Sequence, residues 1–184
     1  MKRLFLLATI LVCVSGLAVG QPNPGSIGIF TDQLATDCNI IDGSMGLKSV
    51  YIIHVGTNGA TASMWKLDVD PGVTMQYVGE TSPFQTIIGD TQNGISIAYA
   101  SCLSGQFLVA TVNYFAQGTS TACAYMSIVP NPAAPSGNVE IVNCSFQKHE
   151  LPKGGQAIVN PDGTCQCNVG TQTTSWGSIK SLYR

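Results

Sequence analysis

Charge is scarce in this sequence: Asp, Glu, Lys and Arg make up 10% of its 184 residues, against about a quarter in ordinary soluble domains. No run of Lys and Arg is present, so nothing is there to neutralise a row of phosphates, and nucleic acid is excluded as a partner. There are only two histidines, which leaves little material for general-base or metal chemistry. Beyond the first 20 residues no apolar run approaches the ~20 residues that cross a bilayer, so no membrane insertion is expected once the start is removed. Before residue 171 no stretch of about ten residues keeps a helical period free of Gly, Pro or β-branched interruption. No glycine-rich loop follows a strand and opens a helix, so nucleotide cofactors have no cradle; none is expected.

What is present begins with a leader. Met1-Lys2-Arg3 is positive, Leu4 to Val14 is apolar, and Ala18-Val19-Gly20 sets small residues before Gln21. That order is a secretory signal peptide over 1–20. Its removal leaves 6 basic and 10 acidic residues, a net charge of −4, on a chain of single-domain size. Six cysteines remain, Cys38, Cys102, Cys123, Cys144, Cys165 and Cys167, and an even number in an exported chain reads as three disulfides. Spacing does not choose among the 15 pairings. Cys165 and Cys167, one residue apart, suit two different partners. A lone C-x-C falls short of zinc-site spacing. The expected location is secreted, extracellular or periplasmic.

The mature segment reads as short β-rich runs between turn residues. Candidate strands are Ser26–Thr31, Leu47–Val55, Ala60–Val69, Val73–Val78, Phe84–Ile88, Ile95–Ser101, Phe107–Phe115, Cys123–Val129 and Asn138–Phe146, with Ala157–Asn160 as an edge. Gly56-Thr57-Asn58-Gly59 reads as a turn, and Ile95–Ser101 with Phe107–Phe115 as a hairpin joined by Cys102–Gln106. The pattern predicts an all-β fold, an antiparallel β-sandwich of immunoglobulin-like type, over 21–167. After it, 168–184 reads as a polar linker and a short helix presenting Trp176, Ile179 and Tyr183 on one face, to dock on the domain or to be recognised by a partner.

GSIGIF followed by CNIID, PAAPSGNVEIVNC and the terminal WGSIKSLYR resemble segments of a group of uncharacterised secreted bacterial proteins with a similar Trp-Gly-x-Ile-Lys-x-Leu-Tyr-Arg tail. The resemblance implies a bacterial, exported protein and carries no activity.

Candidate chemistry is sparse. Gly94-Ile95-Ser96-Ile97-Ala98 approaches a nucleophile elbow but lies inside a strand pattern, not on a strand-to-helix turn. His54 reads as a half-buried side chain at a sheet rim, and His149 as part of a solvated loop. Asp68 and Asp70, before Pro71-Gly72, offer oxygens to calcium, which takes six to eight; Asp162 lies in a similar turn, and plain turn chemistry competes at each. Trp65, Tyr77 and Tyr99 are the foremost rings for stacking a ligand, with Tyr51, Tyr114 and Tyr125 behind them. Asn143-Cys144-Ser145 matches a glycosylation sequon. The function expected is a non-enzymatic β-sandwich with a structural, adhesive or binding role toward a protein or glycan surface. A carbohydrate-binding module is the alternative, and a secreted hydrolase with an unrecognised site stands third.

Overall fold

The computed structural model of the chain describes residues 23–167 and Val169. The expected leader over 1–20 and the expected C-terminal helix with Trp176, Ile179 and Tyr183 lie outside the described residues. Ten strands and no helix occur among those described: β1 Ser26–Phe30, β2 Asn39–Ile40, β3 Gly46–Val69, β4 Gln76–Thr81, β5 Thr86–Asp90, β6 Gly94–Ala116, β7 Ala124–Val129, β8 Val139–Asn143, β9 Lys148–Leu151 and β10 Gln156–Val159.

Two long strands form the spine, and they overturn two expected turns. The Gly56–Gly59 stretch does not end a strand, and Cys102–Gln106 does not close a hairpin. Both lie within the unbroken β3 and β6, which pair antiparallel from Gly46↔Ala116 to Trp65↔Ile95. The register slips between Ile52 and Ala62. At such bulges a strand bends and its twist increases. Positive φ at Gly56 (66°), Gly105 (83°) and Ala100 (61°) marks the bend on both chains. Local turn chemistry is thus spent on bending a strand.

Each half of the spine carries its own neighbours. The first half of β3 pairs with β1 on one side and the second half of β6 on the other, with β4 beyond. The second half of β3 pairs with the first half of β6, which β5 flanks, and on its opposite side with β8 and then β9. Its last residues, Lys66–Val69, pair with β7, and β10 and β2 follow. The β2–β10 pairing is parallel, the one departure from an antiparallel arrangement among the described strands. β10 is therefore internal, between β2 and β7, not the edge strand expected. His149, expected in a loop, lies on β9.

Inward side chains from both halves form one core. Ile27, Ile29, Val50 and Ile52 join Trp65, Leu67, Ile95, Ile97, Val139 and Ile141 in it. The alternation of buried and exposed residues along the strands is the period-2 pattern of a sandwich. Three disulfides fasten the ends and the bend: Cys38–Cys167, Cys102–Cys144 and Cys123–Cys165. The C-x-C pair is split between two partners. Gly59 sits against the Cys102–Cys144 bridge, where an added Cβ would lie 2.6 Å from the Cys144 Sγ.

Candidate functional site

The pairing of β5, β6, β3, β8 and β9 sets their outward side chains in two rows, because residues directly opposite on adjacent strands share a face. One row runs Thr86, Ala98, Ala62, Val142 and Lys148; the other runs Ile88, Ser96, Met64, Glu140 and Glu150. The intervening residues, Ile97, Ser63 and Ile141, point to the core. A solvated sheet face ordinarily alternates to polar and charged residues. Here the middle of the face is alanine, serine, methionine, valine and threonine. Together with Ile88, 73% exposed at the edge strand, they line a groove of about 250 Å³.

Charge is confined to one end. Glu140 is buried, accepts from Ser136 Oγ at 2.8 Å, and pairs with Lys148 Nζ at 3.1 Å. Burial alone would push its carboxyl up; the Ser136 and Lys148 hydrogen bonds outweigh that and hold it below its ordinary value. The neutralised pair leaves the groove apolar up to its rim. Every residue of β5 from Thr86 to Gly89 is exposed.

The aromatic candidates part ways. Trp65 is 0% and Tyr99 2% exposed, so neither offers a face to a ligand. Trp65 Nε1 donates to Ser63 Oγ at 3.1 Å. Tyr99 lies among His54, Phe84 and Phe107. Tyr77, 36% exposed, does stand at the surface. It shares a second depression, of about 320 Å³, with Lys66, Asp68, Gln92 and Tyr114. Tyr51 is half-buried, and Tyr125 is exposed on β7.

The histidines are spent on structure. His54 is fully buried, not half-buried at a rim. Its Nε2–H donates to the Pro24 carbonyl at 2.7 Å, which leaves Nδ1 to accept from the Tyr99 hydroxyl at 3.2 Å. Burial depresses its pKa. His149 Nε2 meets Asn143 Nδ2 at 3.3 Å. Neither ring touches a serine or a carboxylate, and Ser96 lies on the outward face of β6, so the described residues assemble no hydrolase triad. Asp70 Oδ1 accepts from the Gly72 amide at 2.7 Å, closing the turn. No third carboxylate, His or Cys joins Asp68 and Asp70 within metal-ligand reach among the described residues. Asp162 lies close to Cys123 and Cys165, whose sulfurs are bonded to each other. Asn143 is buried with its amide bonded to Gln147 and His149, which leaves no room for a glycan on it in the folded domain.

No protein-family model matches the chain, and comparison with curated proteins finds no match. Solved structures do match. A cohesin module from a Clostridium perfringens family 33 glycoside hydrolase aligns over 75% of this chain and 98% of its own, at TM-score 0.51 and 8% identity. A type II cohesin domain from the cellulosome of Acetivibrio cellulolyticus aligns over 74% of this chain and 95% of its own, at TM-score 0.52 and 15% identity. The fold is similar to that of cohesin modules. At such identities the likeness is one of backbone architecture, an immunoglobulin-like β-sandwich.

Of the groove residues, the sequence singles out only Ser96, Ile97 and Ala98, and these as an approach to a nucleophile elbow, not as a surface. Alternation along β3 and β6 marks one face as outward, but Ala62, Ala98 and Ser96 carry no chemical signature. Their grouping becomes visible only once five strands are laid side by side.

Proposed function

We propose that the mature chain is a secreted, non-enzymatic binding module that docks a protein partner on the outward face of β5, β6, β3, β8 and β9. One observation carries this reading: the centre of that face is made of small, uncharged side chains where a solvated sheet would be polar. Contiguous apolar surface on a soluble domain marks an interaction site. The flat, short-chained surface suits a partner that brings its own larger apolar side chains into the groove. Burial of Ile88 alone would contribute about 1.5–3 kcal/mol. The exposed edge β5 adds unpaired backbone groups that a partner strand can meet.

Three points support the setting. The described cysteines are all bonded, which fits an oxidising compartment, and the leader over 1–20 supplies the route. The two cohesin structures are a module of a glycoside hydrolase and a domain from a cellulosome, so the fold serves there as a part of something larger. Both histidines are occupied structurally, which removes the commonest general base.

The test compares capture of secreted proteins from the producing cell by the mature chain and by its Ala98→Arg variant. The outward position lets arginine be accommodated without touching the core. The reading expects a defined protein to be retained by the wild type and lost by the variant at unchanged melting temperature. Equal retention by both would overturn it.

A further inference from the structure

Away from that face, the depression beside Tyr77 holds a set of polar side chains with no bonding partner among the described residues. It lies where the end of β3 meets β4 and β6, lined among others by Lys66, Asp68, Tyr77, Gln92 and Tyr114. The side chains of Lys66, Asp68 and Gln92 make no hydrogen bond or ion pair among the described residues. Tyr114 is 1% exposed, and its hydroxyl is the sole buried side-chain polar atom without a hydrogen-bond partner among the described residues. A buried hydroxyl left unpaired costs about 1–3 kcal/mol; the Tyr114 ring lines the depression, while its hydroxyl is closed off inside the fold.

The ring geometry is equally specific. Tyr77 packs edge-on against Tyr114, with centroids 6.1 Å apart and planes at 75°. That contact holds the Tyr77 ring in place while leaving it 36% exposed. Nearby, the Glu80 carboxylate is fixed by the amide and hydroxyl of Thr91. Burial, together with the Glu80 charge, pushes the Tyr77 hydroxyl up to about 12, so it stays a neutral donor at ordinary pH. The site therefore combines an aromatic platform, a carboxylate acceptor, an ammonium donor and an amide that does both.

We propose that this depression binds a single pyranose ring of a glycan, stacked on Tyr77 and hydrogen-bonded by Asp68, Lys66 and Gln92. A sugar ring presents a C–H face for an aromatic plane and a rim of hydroxyls, each both donor and acceptor, that matches this mixed set. About 320 Å³ lies at the small end of ligand pockets, roughly 300–1,000 Å³. An anion would meet Asp68 and a cation would meet Lys66; a neutral polyhydroxylated ring meets both to advantage. The site is distinct from the apolar face and stands or falls without it.

The experiment titrates the labelled mature chain with methyl β-glucoside, methyl β-galactoside, methyl α-mannoside and N-acetylglucosamine, following backbone amide shifts. A ligand of about a dozen non-hydrogen atoms binds at roughly millimolar strength, so each titration runs to about 50 mM. At least one sugar is expected to shift the amides of Lys66, Asp68, Tyr77 and Gln92 in a saturable way. Tyr77→Ala should weaken that binding about tenfold. Asp68→Ala, which removes an exposed carboxylate with no bond among the described residues, should weaken it about five- to tenfold without lowering the melting temperature. The proposal is overturned if none of the four sugars shifts those amides, or if Asp68→Ala binds as tightly as the wild type.

Discussion

Ala62 on β3 and Ala98 on β6 stand directly opposite each other at the centre of the outward sheet face. Two methyl groups at that position keep the groove open, because any longer side chain would fill it. On the proposed reading, that open groove is where a partner protein's side chains would enter.

The bend in the spine depends on Gly59. Its φ is 153°, and a Cβ there would lie 2.6 Å from Cys144 Sγ and 3.3 Å from Cys102 Sγ. Gly59→Ala is expected to destabilise the fold by about 1–3 kcal/mol, the usual cost of overpacking, measured by chemical denaturation. A change below about 0.5 kcal/mol would mean the strand shifts freely at this point.

Two loops are tied together by Asp42, whose buried carboxylate accepts from the Gly118 amide at 2.7 Å and the Ser120 amide at 2.9 Å. Burial opposes its ionisation, but hydrogen bonds from Ser120 and Gly118 prevail and keep its pKa below the ordinary value. Asp42→Ala strands two amide donors and should cost about 3 kcal/mol. Retention of wild-type stability would show that water replaces the carboxylate at no cost.

Stability should respond to pH through His54. Its folded pKa is lowered by burial, so below about 6.5 the unfolded chain takes up a proton that the folded one does not. Stability contributed by the neutral ring is therefore complete above that pH and falls as pH drops from about 6.5 toward 5. Asp32, Asp37, Asp42, Asp90 and Glu140, all held below their ordinary values, add a second loss below about pH 4. Melting temperatures across pH should show both steps, and His54→Gln should flatten the first alone. A first step that persists in that variant contradicts the assignment.

Each bridge should stabilise the fold by roughly 2–4 kcal/mol. The Cys102→Ala/Cys144→Ala pair removes the bridge at the bend and should lower the denaturation free energy by that amount. Under denaturing conditions the wild type should show no reactive thiol. Two or more per molecule would contradict the pairing.

The strands were legible in the sequence because alternation and β-branched composition are local signals. Cys102–Gln106 and Gly56–Gly59 were not read as strand interior, since glycine and asparagine carry the same local chemistry whether a chain turns back or bends on. What decides is the partner: β3 and β6 lie against each other on both sides of the bulge, and pairing continues. Trp65 and Tyr99 were candidates for the surface because an aromatic on an alternating strand shows its period but not which face is inward. Tyr77 and Asp68, far apart in sequence character, were each named, but only the meeting of β3 with β4 joins them with Tyr114. The alanines of the groove carry no signal of their own.

The docking face is tested most directly by backbone amide exchange on the mature chain, free and bound to the protein it retains. The account expects slowed exchange along β5 from Thr86 to Asp90, with protection extending to Ala62, Ala98 and Val142. Unchanged exchange in β5 and those three residues, with protection appearing elsewhere on the sandwich, would contradict it.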